Sequence, residues 1–206
     1  MKNSQSHKRL ILTSTIALLI FVIILIVVML KTTQNFDASI NSAIQNIQTP
    51  FLIKFSAIIG LIFDTKFLIV VILILALYHW IKKSEKDALF AIITISFGAS
   101  MVYILKEIVQ RTRPLNILIA ETGFAFPSGH ATMSLIFFGI ITYLIFKNRK
   151  SPALKQTALV VSILAVLIIG LSRLILNAHW FTDVLGGFAL GTFILTICIL
   201  FRKKLS

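Results

Sequence analysis

The sequence predicts an all-α, polytopic membrane protein with six transmembrane helices and both termini cytoplasmic. Three observations lead there. Of the 206 residues, 58% are apolar and 13% charged, whereas an ordinary soluble domain carries roughly 25% charge. The apolar residues fall in long blocks free of charge. The basic residues are divided unevenly between the segments that join those blocks. The same composition excludes intrinsic disorder, which requires few apolar residues. It also excludes a disulfide scaffold, because Cys198 is the single cysteine.

The first block, Leu10–Leu30, is flanked by Arg9 and Lys31 and is long enough for a bilayer core, which takes about 20 helical residues. Lys2, Lys8 and Arg9 resemble the charged start of a secretory signal. The block is too long for such a signal, and no small-x-small cleavage site follows, so it reads as a retained span. An outer loop runs on to residue 48. Thr49 and Pro50 suit a helix start, and Phe51–Phe63 reads as an interfacial helix feeding the second span. That span, Phe67–Ile81, is short. It extends outward past Asp64 and Lys66, or is completed by Tyr78 and Trp80 at the interface. Ala88–Leu105, Ala131–Phe146, Gln156–Ser172 and Val184–Phe201 supply the remaining four spans. The chain reads as a single domain over 1–206, with the first span and outer loop in 1–48 and a core carrying the polar motifs in 49–206.

Orientation follows from the excess of Lys and Arg in cytoplasmic segments. With the N-terminus inside, the inner segments hold thirteen of the 20 basic residues against Glu85 and Asp87, a net of +11. The outer segments hold seven against five acids, a net of +2. The overall +13 therefore reports mostly topology. The cations are scattered over separate segments without interleaved aromatics, so no nucleic-acid face is expected.

Polar residues at the outer ends of the later spans form three clusters, and polar groups at such depth are costly. Lys106 and Arg113 are seven apart, near two helical turns, and project from one face of the third span before Pro114 ends it. Alone, they read equally well as snorkelling cations. In Phe126-Pro127-Ser128-Gly129-His130, Ser128 is an N-cap. The free N–H groups behind it form an anion site that Gly129 leaves open to close approach; alone, this is also an ordinary capped helix start. In Ser172-Arg173…His179…Asp183, the histidine and the acid are four apart. A carboxylate there fixes the imidazole tautomer and sharpens the other ring nitrogen as a nucleophile. A metal site of His130, His179 and Asp183 is the rival reading, opposed by three nearby cations that repel a metal and attract a phosphate. Fixed positive charge, a nucleophile and an acid are together what phosphoryl transfer requires.

These motifs resemble the type 2 phosphatidic acid phosphatases, which share a core with vanadium haloperoxidases. The family pattern K-x6-R-P, P-S-G-H, S-R-x5-H-x3-D is met in order by Lys106–Arg113-Pro114, Pro127-Ser128-Gly129-His130 and Ser172-Arg173–His179–Asp183. The resemblance implies a PAP2/haloperoxidase-like core and a metal-independent lipid phosphate phosphatase without cofactor, acting at the extracytoplasmic face of a cell membrane. It implies that His179 attacks phosphorus and carries a phosphohistidine, Asp183 orients it, and His130 protonates the leaving group. Lys106, Arg113, Ser128, Gly129 and Arg173 then hold the phosphoryl oxygens. Similar bacterial members act on phosphatidylglycerophosphate, phosphatidic acid or undecaprenyl diphosphate. Transfer of the phosphoryl group to a lipid or sugar acceptor, or a non-catalytic lipid binder on the same fold, are the alternatives. One departure from the pattern is Phe181, where many relatives carry proline, which bears on the shape of the loop.

Other features read as structural. Gly187 and Gly191 suit close helix packing within the fold, Cys198 an inert core position, and His79 with Trp80 an interfacial belt. Arg111 and Glu121 flank the site within reach of a headgroup and are expected to be solvated loop charges.

Overall fold

A computed structural model describes residues 2–204, with side chains from residue 5 onward; the side chain of Lys2, one of the N-terminal cations, lies outside the described residues. The described chain is helical: α1 (Lys2–Met29), α2 (Gln34–Gln45), α3 (Pro50–Ile62), α4 (Thr65–Ile81), α5 (Glu85–Val109), α6 (Gly129–Asn148), α7 (Pro152–Ile175) and α8 (Phe181–Lys204). Five of these, α1, α5, α6, α7 and α8, are long and apolar enough to cross a membrane. A sixth crossing arises when α3 and α4, bent by 41° at their junction, are taken as one broken span.

The second span, α4, takes in Lys66 and runs through Tyr78 and Trp80, and α3 leads into it as the separate helix expected over Phe51–Phe63. The span does not continue straight outward past Asp64. The Asp64 side chain caps α4 by accepting from the Lys66 N–H at 2.8 Å, and the chain arrives from α3 at an angle. The Thr49 hydroxyl caps α3, with Pro50 in its first turn, as the sequence suggests. Phe51, Phe55, Ile58 and Leu61 are exposed; their spacing puts them on one face of α3.

The loop expected through residue 48 contains a helix, α2. It is too polar to span a membrane, and it buries only Asp37 and Asn41.

In the core, α8 packs against α1, α5 and α6, and α6 against α7. Leu68, Ile72, Ile95, Met133, Ile136, Ile140 and Ile194 are fully buried there. Long apolar side chains on α1 and α7, including Leu12, Leu19, Ile23, Val160, Leu164 and Leu167, are exposed, as lipid-facing surfaces require. Two of the glycines of α8, Gly187 and Gly191, meet α6. A Cβ on Gly187 would lie 2.8 Å from the Ser128 carbonyl oxygen, and one on Gly191 2.9 Å from that of Thr132. Cys198 sits in the same core. At one end of the bundle, Asp87 of α5 pairs with Lys147 of α6 at 2.6 Å and Arg202 of α8 at 2.9 Å. The opposite end carries the polar motifs.

Candidate active site

Four helix ends converge at that opposite end. Lys106 lies in the last turn of α5, Ser128, Gly129 and His130 open α6, Arg173 lies in the last turn of α7, and Asp183 opens α8. Arg113 and His179 come from the intervening loops. All the expected residues are thus brought together, with one difference in how Arg113 arrives. α5 ends at Val109, four residues earlier than a stop at Pro114 would give. Gln110 takes a left-handed conformation (φ 48°) and its N–H closes on the Lys106 carbonyl at 2.9 Å. Arg113 therefore does not share a helical face with Lys106; it reaches the site from an irregular loop.

Arg113 is held on several sides. Its Nε donates to the Gly123 carbonyl (3.1 Å), Nη1 to the Ala178 carbonyl (2.8 Å) and Nη2 to the Thr122 carbonyl (3.0 Å). Burial lowers its pKa below the usual arginine range, while Glu121 and Asp183 oppose the shift. Lys106 Nζ donates to the Phe124 carbonyl at 2.7 Å. Ser128 caps α6, accepting from the Ala131 N–H at 3.5 Å, and its own N–H donates to the Asp183 carbonyl at 3.0 Å. A Cβ on Gly129 would make only ordinary contacts, 3.5 Å from Thr65 and 3.7 Å from Val102, so packing does not demand glycine there.

His179 is 1% exposed. Its Nδ1 has no hydrogen-bond partner and faces Asp183 Oδ2 at 3.6 Å. Its Nε2 lies 3.4 Å from Arg113 Nη1. A guanidinium only donates, so Nε2 offers its lone pair and the ring proton sits on Nδ1, toward the carboxylate. Burial pushes the His179 pKa down to about 4. The Asp183 carboxylate opposes this, and Arg113 and Lys106 add to it. The imidazole is therefore neutral at pH 7, with its free lone pair turned to the cations.

His130 Nε2 lies 3.2 Å from the Gly60 carbonyl, and a carbonyl only accepts, so this nitrogen carries a proton. Arg173, His179 and Glu121 all lie within electrostatic range of it. Arg173 is 1% exposed. It donates to the Ser56 carbonyl (3.1 Å) and the Ser172 hydroxyl (3.2 Å). A Cβ on Gly60 would collide with the Arg173 guanidinium, so a side chain there would displace that group from its place against α3. Sequence reasoning missed Gly60; a glycine inside an apolar helix was its one signal.

Two residues expected to be solvated loop charges are not. Glu121 bridges the two arginines, 3.5 Å from Arg113 Nη2 and 3.6 Å from Arg173 Nη1. Arg111 is nearly buried, pairs with Asp183 Oδ1 at 2.5 Å and with Asp37 Oδ2 at 2.6 Å, and lies over the Trp180 ring. The two arginines stand two apart in an irregular loop, Arg111 turned toward Asp183 and Arg113 toward His179.

Sequence reasoning also missed the grip of α2 and the residues that follow it on the end of α7 and the α7–α8 loop. Asn41 Nδ2 donates to Asn177 Oδ1 (3.0 Å) and the His179 carbonyl (3.3 Å), and Gln48 Nε2 to the Ile175 carbonyl (2.6 Å). Phe181, the departure from the family pattern, opens α8 and packs edge-on against Phe36 of α2, with ring centroids 5.9 Å apart. Among the described residues, no three His, Cys, Asp or Glu side chains gather in a metal-binding group.

Comparison with known proteins agrees with the fold. The family model of the PAP2 superfamily matches residues 86–206. Phosphatidylglycerophosphatase B of Bacillus subtilis (strain 168) is 29% identical over 191 residues, covering 91% of this chain and 94% of that protein. An uncharacterized 22.5 kDa protein in the cps region of Klebsiella pneumoniae is 31% identical over 83 residues, 40% of this chain and 38% of that one. Among solved structures, the transmembrane PAP2 type phosphatidylglycerolphosphate phosphatase from Bacillus subtilis superposes with a TM-score of 0.83 at 27% identity. It covers 94% of this chain and 98% of its own.

Proposed function

The chain belongs to the PAP2 superfamily, and from that premise we propose that it is a metal-independent phosphatase of membrane lipid phosphates, with residues 1–206 forming one catalytic domain. Its substrate is a lipid phosphomonoester or diphosphate, with phosphatidylglycerophosphate first in line because the relative similar over nearly its full length is a phosphatidylglycerophosphatase. Phosphatidic acid and undecaprenyl diphosphate are the other two members of the expected set. The site faces the extracytoplasmic side, because the opposite end of the bundle carries most of the basic residues.

The observation that carries the reading is the setting of His179: Nδ1 faces the Asp183 carboxylate at 3.6 Å, Nε2 lies 3.4 Å from Arg113 Nη1, and burial lowers the pKa of the ring. In the proposed reaction Nε2 attacks phosphorus. The bond from phosphorus to the leaving oxygen breaks, and His130, entering the step as the imidazolium, gives that oxygen a proton and becomes neutral. Lys106, Arg113, Arg173, the Ser128 hydroxyl and the Gly129 N–H hold the three non-bridging oxygens, where charge builds in the transition state. Water then attacks the phosphohistidine, His130 takes its proton, and phosphate leaves. Glycine at 129, which packing does not require, suits close approach of the phosphate to the backbone.

The test is a substrate panel of the three lipids with purified protein in detergent and excess chelator. Phosphate release, its inhibition by orthovanadate, and loss of turnover in His179→Ala are expected. Removing one cradle cation, as in Arg173→Ala, is expected to cost about 10²–10³ in kcat, as for a lost oxyanion donor. Full activity in His179→Ala, or strict dependence on added metal, would sink the reading.

A further inference from the structure

The α2 helix carries a buried acid that the phosphate-handling residues do not use. Asp37 is 0% exposed, and both its oxygens are engaged. Oδ1 accepts from the Thr182 N–H (2.9 Å), and Oδ2 accepts from the Thr182 hydroxyl (2.7 Å) and from Arg111 Nη2 (2.6 Å). The other terminal nitrogen of the same guanidinium, Nη1, donates to Asp183 Oδ1 (2.5 Å) and the Thr182 hydroxyl (2.8 Å). The second oxygen of Asp183 accepts from the Trp180 N–H at 2.8 Å and faces His179 Nδ1. A continuous line therefore runs from Asp37 through Arg111 and Asp183 to His179.

Accepting on Oδ1 from Arg111 and on Oδ2 from Trp180 fixes the plane of the Asp183 carboxylate. The guanidinium is planar and presents its donors in a rigid fork, so it cannot turn without breaking with Asp37 or Asp183. Asn41, one turn further along α2, holds the His179 carbonyl at 3.3 Å. The same helix thus grips the nucleophile's loop at its backbone and, through Arg111, at its orienting acid.

We propose that Asp37 and Arg111 are positioning residues for phosphoryl transfer, with Arg111 aiming the Asp183 carboxylate at His179 and Asp37 aiming Arg111. This rests on the reading of His179 as nucleophile. Arg111 is committed to the two carboxylates and to Trp180, so it is not a fourth phosphate ligand, although it stands two residues before Arg113. The two roles predict opposite kinetics. A positioning residue lowers kcat and leaves substrate affinity alone, whereas a phosphate ligand weakens substrate affinity.

The experiment measures kcat and KM on phosphatidic acid micelles, orthovanadate inhibition and thermal midpoint for wild type, Arg111→Met, Arg111→Lys, Asp37→Asn and His179→Ala. In Arg111→Met and Asp37→Asn, kcat is expected to fall about 10–100-fold, the cost of losing an outer-shell orienting partner. KM should match wild type, and vanadate inhibition should weaken in step with kcat. Arg111→Lys should recover part of kcat by restoring the charge without the fork. If Arg111→Met does not fold, the Asp37→Asn and Arg111→Lys arms carry the same readouts. Wild-type kcat in folded variants, even with a lowered thermal midpoint, would overturn the proposal. So would weakened vanadate inhibition with kcat intact. Turnover in His179→Ala would overturn the functional reading and this proposal with it. Loss of turnover there beside normal kcat in the Arg111 and Asp37 variants overturns this proposal alone.

Discussion

A histidine that is to attack phosphorus must be unprotonated, and the surroundings of His179 arrange that chiefly by burial, which lowers its pKa from 6.5 to about 4. The sign is direct: above pH 4 the ring is neutral and competent, and below it the ring is protonated and cannot attack. The acid limb of kcat/KM is therefore expected near pH 4, after correction for the substrate phosphate's own second ionisation near about 6. An enzyme limb at 6.5 would contradict the assigned environment. The motif residues Lys106, Arg113, Ser128, Gly129, His130, Arg173, His179 and Asp183 were legible in the sequence as three short polar clusters at the ends of spans, although the shared helical face read for Lys106 and Arg113 did not hold. Gly60, Asp37 and the true setting of Arg111 were not. Their partners lie far along the chain, 145 residues away for Asp37 and Thr182, and spacing says nothing about such pairs. Glu121 escaped for a related reason: a loop carboxylate looks solvated until the fold brings Arg113 and Arg173 on either side of it.

Among the elements, the spans were readable from charge-free blocks, and the ends of α3 and α6 from Thr49, Pro50 and Ser128. The helix α2 was not. At 12 residues, with few apolar positions, it gives no membrane signal, and an isolated helix of that length is marginal in water. It is held by docking, through Asp37, Asn41 and Phe36 against the start of α8 and the loop before it. The end of α5 was misplaced because proline was taken as the stop, whereas a left-handed Gln110 ends the helix first. The pairing of α6 with α8 depends on glycine. Gly191→Val is expected to force the helices apart, because its Cβ would lie 2.9 Å from the Thr132 carbonyl oxygen and 3.2 Å from Leu135 Cβ. Overpacking of this kind costs about 1–3 kcal/mol, read as a lower thermal midpoint in detergent. Because α6 carries His130 and α8 carries Asp183, kcat should fall as well; an unchanged midpoint would show that the helices have room to adjust.

For the molecule as a whole, the net charge of +13 divides between the two ends of the helical bundle. Asp87, Lys147 and Arg202 pair at one end, and the candidate site lies at the other. The proposed orientation predicts that Ala120→Cys, near the site, is labelled by an impermeant maleimide added outside intact cells, while Lys150→Cys is labelled only after permeabilisation. The reverse pattern would place the site in the cytoplasm. Cys198 is buried and does not compete for label. The central claim is that phosphate passes through a covalent bond to His179. Phosphohistidine survives alkali, so a rapid alkaline quench of wild-type protein turning over a radiolabelled lipid phosphate should trap label on the protein at that residue. His179→Ala should trap none and release none. Phosphate release by wild type with no trapped protein-bound label at any quench time, together with residual turnover in His179→Ala, would contradict the account.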